Sequence, residues 1–203
     1  MTNQAIVQWT GRLRRDGKQS VAALAERTLR RLRSEPGFAG FSQMIRPKEA
    51  ELHWLMAFDD TAALKAFIDG NHTALFQDAQ SVAELEPAFL SRRPVHYRVP
   101  HAARPKLMVQ LAAMLSAKAA GRELVPEMAA LIRSMQGIDS FCGLDWLLDP
   151  DFGTTQVLTY WSDPQGFKHY LDANPAELAG FLDGIAEKMM PLAPYVIIDE
   201  QAA

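Results

Sequence analysis

The chain of 203 residues contains a single cysteine, Cys142. One thiol excludes an internal disulfide and a cysteine-rich zinc site. Long apolar runs are missing too: none approaches the roughly 20 residues needed to cross a bilayer. The opening Met1-Thr2-Asn3-Gln4 lacks the basic and then apolar character of a secretion signal. These absences set the expectation of a cytoplasmic protein with no membrane partner. Nor does either sign of charge dominate. With 21 basic and 24 acidic residues the net charge is −3, so nothing draws the chain as a whole to nucleic acid. Arg27, Arg30, Arg31 and Arg33 are a local exception. On a helix Arg27, Arg30 and Arg31 share a face, which reads as a solvated surface. Neither GxGxxG nor a P-loop occurs. His53, His72, His96, His101 and His169 show no chelating spacing on a common element, and no metal is expected.

What is present is an ordinary globular composition, 48% apolar and 22% charged, in a chain long enough for two domains of about 100 residues. Ala5–Leu13 alternates as a strand and stops at the turn Arg15-Asp16-Gly17. Ser20–Ser34 carries Val21, Leu24, Ala25, Thr28, Leu29 and Leu32 at helical spacing, and Glu35-Pro36-Gly37 ends it. Phe38–Ile45 and Glu51–Phe58 read as two strands. Asp59 or Asp60 caps a helix through Leu64, Phe67 and Ile68. A short helix from His72 to about Ala79 and a strand Pro94–Val99 complete the order βαββαβ.

The second half repeats that order. Lys106–Leu115 reads as a strand and Gly121–Met135 as a helix. Ile138–Leu148 and Thr154–Trp161 read as strands around the turn Asp149–Gly153. A helix starts at Asp163-Pro164, another spans about Ala176–Met190, and Tyr195–Ile198 is a final strand. Matched positions support a duplication: Val7-Gln8 with Val109-Gln110, Leu24, Thr28 and Leu32 with Leu124, Met128 and Ile132, and Gly37 with Gly137. The longest match sets Phe58, Asp60, Leu64, Phe67 and Asn71 against Trp161, Asp163, Phe167, Tyr170 and Asn174. Pro100–Pro105 is the natural linker, dividing the chain into domains 1–100 and 104–203. The fold class expected is α+β: two tandem ferredoxin-like βαββαβ modules forming a pseudo-dimeric α/β barrel.

Strand alternation assigns the side chains to faces. Val7, Trp9, Trp54, Met56 and Phe58 form one set, and Val109, Leu111, Val157, Thr159 and Trp161 its repeat. With helices over these sets, the opposite face, a ligand-holding lumen, receives Gln8, Thr10, His53, Gln110, Gln156 and Tyr160. Such a surface suits an uncharged or weakly acidic aromatic molecule better than a phosphate ester.

The pattern of strand-end aromatic, Asp and amphipathic helix, in Ala57–Phe67 and again in Tyr160–Tyr170, resembles the antibiotic biosynthesis monooxygenase superfamily of dimeric α/β barrels. Pro36-Gly37-Phe38 and Gly137-Ile138 add to it, and the two copies cover nearly the whole chain. The resemblance implies a monooxygenase that needs no cofactor and acts on an aromatic or polyketide-like phenol or quinol. Deprotonated in a dry pocket, such a substrate itself reduces O2. Under this reading His53 is the catalytic base, Gln8, Thr10, Gln110 and Gln156 hold polar substrate groups, and Tyr160 or Trp161 bounds an aromatic ring. The implied partner is a small aromatic molecule, with association into a homodimer left open. Two alternatives stand beside it. One is a small-molecule binding or stress-response barrel without chemistry. The other is haem binding or degradation, for which His72 and His169 are the nearest candidates, although neither sits where that pattern places its axial histidine. Plainer roles are also open: His53 as a structural histidine, Trp9, Trp54 and Trp161 as core, Asn71 and Asn174 as helix caps, and Cys142 as a buried thiol.

Overall fold

The computed structural model describes residues 4–14, 17–85, 91–117, 119, 125–149 and 153–202. It forms two compact units, Thr2–Val95 with Val196–Ala203, and His96–Tyr195. The elements of the first are β1 (Ala5–Leu13), α1 (Gly17–Leu32), β2 (Phe38–Arg46), β3 (Glu51–Phe58), α2 (Thr61–Asp69), α3 (His72–Gln80) and β4 (Ala83–Leu85). Strand β5 (Ser91–Val99) begins in this unit and ends in the other. The second unit holds β6 (Leu107–Leu115), α4 (Val125–Gln136), β7 (Phe141–Asp149), β8 (Thr154–Trp161), α5 (Gly166–Ala173), α6 (Pro175–Ile185) and β9 (Ala186–Met189). Strand β10 (Ala193–Ala202) starts there and finishes in the first.

In the first unit the antiparallel order is β10-β2-β3-β1-β5, with β4 paired to the end of β1. In the second, β7-β8-β6-β9 run in that order. The two sheets share a register. Ala5 stands opposite Phe58 as Leu107 stands opposite Trp161. The β2–β3 pairing slips between Phe38 and Gly40, and the β7–β8 pairing slips between Phe141 and Gly143. A bulge at the same place in both sheets bends the strand that enters each of these hairpins.

Alternation of apolar residues along these strands selects which face the helices cover. Val7, Trp9, Trp54, Met56 and Phe58 pack with Leu24, Leu29 and Leu32 of α1 and with Leu64, Phe67 and Leu75. Val109, Leu111, Val157 and Trp161 pack with Met128, Leu131 and Met135 of α4 and with Phe167, Tyr170 and Phe181. Both expected helix-side sets are therefore core. At roughly 25 cal/mol per Å² of apolar area, the large aromatics carry much of the burial energy in each. The expected α+β architecture of ferredoxin-like modules in tandem is what the chain adopts.

Several element boundaries depart from the sequence reading. The last long helix stops at Ile185 and does not reach Met190, because Ala186–Met189 is extended and hydrogen-bonds along β6. Here sheet pairing outweighs the helical propensity of Glu187 and Lys188. Asp163-Pro164 forms a turn, with the Gly166 N–H bonded to Asp163 O, so α5 begins at Gly166. Strand β7 begins at Phe141, since Ile138–Ser140 turns back on the end of α4. Strand β5 starts at Ser91 where the reading had Pro94, and the three-residue β4 is too short to show alternation. Residues 15, 16, 121–124 and 150–152, on which parts of two expected turns and one helix start fall, lie outside the described residues. Among the described residues no helix is long and apolar enough to cross a membrane.

Candidate functional site

In the first unit, β1 and β3 place Thr10 directly opposite His53. The Thr10 hydroxyl and His53 Nδ1 are 2.8 Å apart. Gln8 lies two residues along β1 on the same face and is buried, as His53 is. By register the neighbours across the strands are Met44 beside His53 and Leu55 beside Gln8. In this apolar setting burial lowers the His53 pKa from 6.5 to about 3, because a buried imidazolium loses its hydration. The imidazole is neutral at physiological pH. With Nδ1–H donating to Thr10, Nε2 is an acceptor; with Thr10 donating, Nε2 carries the proton. The acceptor tautomer is the one a base requires.

In the second unit Gln110, Gln156 and Tyr160 share the face turned from the helices. Gln156 and Tyr160 are buried and Gln110 is partly exposed. Tyr160 belongs to a cluster that the sequence reading missed. Its hydroxyl donates to Asp145 Oδ2 (3.1 Å), and Arg98 holds Asp145 with two bonds, Nε to Oδ1 and Nη2 to Oδ2 (3.0 Å). The His101 ring lies 4.2 Å from that of Tyr160. Burial works against the Arg98 charge, but the hydrogen bond and charge of Asp145, together with Tyr160, outweigh it and raise the pKa above its ordinary value. The signal was one acidic residue inside Phe141–Leu148, an otherwise apolar strand, with an arginine near the end of β5. A buried carboxylate requires such a partner.

Trp161 is elsewhere. It sits on the helix-covered face, where Nε1 donates to Thr159 (2.9 Å) and the ring packs against Phe141, Phe167 and Tyr170. Strand alternation puts it opposite in direction to Tyr160, so the two do not line one surface. The first unit thus gathers Gln8, Thr10 and His53, and the second gathers Gln110, Gln156 and Tyr160. His72 is buried among Trp9, Phe67 and Phe76, with ring centroids 5.3–5.9 Å away. Cys142 is buried. Asn174 Nδ2 caps Tyr170 O, whereas Asn71 Nδ2 bonds Glu35. Among the described residues no three His, Cys, Asp or Glu side chains gather to hold a metal.

No family model and no curated protein matches the chain. Solved structures do. A "Putative monooxygenase" from Fusobacterium nucleatum has a TM-score of 0.75 at 10% identity, over 99% of this chain and 95% of that one. An anthrone oxidase-like protein has a TM-score of 0.68 at 10% identity, covering 100% and 94%. A ferredoxin-fold protein related to antibiotic biosynthesis monooxygenases, from Listeria monocytogenes, has 0.58 at 7%, covering 98% and 96%. What the chain shares with them is a fold. It is the ferredoxin-like fold that the resemblance to antibiotic biosynthesis monooxygenases implied, matched over nearly the full length of each chain. A chlorite dismutase from Candidatus Nitrospira defluvii matches as well, so this fold does not by itself choose a reaction.

Proposed function

We propose that the protein is a monooxygenase of the cofactor-independent kind, acting in the cytoplasm on a small aromatic phenol or quinol. The observation that carries the reading is the buried His53 bonded to Thr10 beside Gln8, a neutral imidazole held by a hydroxyl with Met44 and Leu55 as neighbours. The structural neighbours, an anthrone oxidase-like protein among them, lend it support. The tandem of like modules is read as one ancestral module used twice, the single chain taking the place of a dimer.

The chemistry asks little of the protein. His53 Nε2 accepts a proton from a substrate hydroxyl or activated CH2, and the resulting anion passes an electron to O2. Recombination of the two radicals forms a C–O bond, the His53 imidazolium returns its proton to the peroxide anion, and loss of water from the resulting hydroperoxide leaves a carbonyl. Gln8 orients the polar edge of the ring system. An imidazole with a pKa near 3 is a weak base towards bulk water. It becomes effective only where the substrate anion stays beside it as an ion pair.

That same weak basicity favours a second reading, a barrel that binds an aromatic molecule without turning it over. Oxygen uptake with a panel of anthrones and quinols separates the two. Turnover by the wild type that falls about a hundredfold in His53→Gln supports the oxidase. Binding without oxygen consumption leaves only the binding role.

A further inference from the structure

On the other side of the first unit's sheet, away from His53, lies a cavity of about 230 Å³ lined by Leu13, Val21, Ala22, Gln43, Ile45, Arg46, Pro47, Ala50 and Ile198. The walls come from the ends of β1 and β2, from Val21 and Ala22 of α1, from the β2–β3 turn and from β10. Gln43 stands opposite Trp54, and Met44 opposite His53, so the sheet itself separates this cavity from the Thr10–His53 face.

Gln43 is 1% exposed, and its Oε1 meets no hydrogen-bond partner. A buried amide oxygen without a partner is rare and costly, because water has been removed from it without replacement. Here the amide belongs to the wall of a cavity that is otherwise largely aliphatic. Arg46 adds little net charge, since Glu49 and Glu51 hold its guanidinium at 3.3 and 3.4 Å. Ala50, on the rim, has φ of +51°, a left-handed conformation unusual for a residue with a side chain. Strain of this sort persists where the surroundings fix the backbone, often at ligand clamps.

We propose that this cavity is a second, separate binding site, for an uncharged ring compound carrying an adjacent donor and acceptor, of the lactam or carboxamide type. The partner's N–H and C=O would pair with Gln43 Oε1 and Nε2, and the aliphatic wall would take the ring. The volume is below the range of drug-sized pockets and above that of cavities that admit benzene, which fits one or two fused rings.

The test uses the full chain and 2-quinolinone, with naphthalene as the ring lacking the polar pair, followed by methyl NMR at Ala22, Ile45, Ala50 and Ile198. 2-Quinolinone should bind and shift these methyls. Gln43→Leu should weaken it about tenfold or more, the effect of losing a hydrogen-bonded pair, without weakening naphthalene. Ala22→Phe, placed on the exposed side of α1, fills the space and should abolish both. Absence of 2-quinolinone binding to the wild type overturns the site. Binding that survives Ala22→Phe places the ligand elsewhere and overturns it as well. Binding lost in Ala22→Phe but unaltered in Gln43→Leu overturns the donor–acceptor class.

Discussion

The charge state of His53 links local environment to the stability of the whole chain. Its pKa in the folded state is about 3 against an ordinary 6.5. Above pH 6.5 both folded and unfolded chains carry a neutral imidazole, and the group contributes no pH dependence. As the pH falls from 6.5 towards about 3, the unfolded chain binds a proton that the folded chain cannot take, and stability is lost at about 1.4 kcal/mol per pH unit. Urea midpoints measured from pH 7 to 4 should therefore fall more steeply for the wild type than for His53→Gln. Identical acid limbs for the two proteins would mean that His53 is not desolvated. Asp145 is the opposite kind of buried polar residue. Arg98 and Tyr160 both bind it, whereas burial keeps His53 neutral and its hydroxyl partner, Thr10, carries no charge.

Among the elements, alternation and helical spacing revealed most of the secondary structure, since they follow from which side chains need burial. The bounds of β3 and β8 and the two helix-side core sets were legible in this way. Strand β9 was not, because its pairing to β6 depends on an edge that the local sequence does not record. The Asp145–Arg98 cluster escaped for a similar reason: its two members are 47 residues apart, and each alone resembles a surface charge. Gly37 and Gly137 show the limit of the repeat argument. They match in sequence, yet only Gly37 has a positive φ, +71°, and a Cβ there would lie 2.6 Å from that of Ala63. At Gly137 the nearest obstacle to a Cβ is 3.8 Å away. Gly37→Ala should thus destabilise the protein by about 2 kcal/mol, and Gly137→Ala far less. Equal shifts in Tm for the two would contradict the conformational difference.

At the scale of the molecule, each of two strands serves both units. Val196–Ala202 pairs with β2, closing an edge in the unit that contains the start of the chain. Removing residues 196–203 should leave β2 as a long open edge with unpaired backbone groups. The truncated chain is expected to self-associate at micromolar concentration, visible as larger species in size-exclusion chromatography with light scattering. A truncated chain that stays monomeric and keeps the wild-type Tm would show that the last strand is dispensable.

The late arrival of that strand has a kinetic side. During synthesis at about 5–20 residues per second, the first unit waits for about half the chain before its final strand emerges. Contacts between residues as distant as Gly40 and Ala202 give a high contact order, and such topologies fold slowly. For some seconds on the ribosome the chain carries a β2 edge with no neighbour, a window in which a chaperone or a second nascent chain competes with β10 for the same backbone.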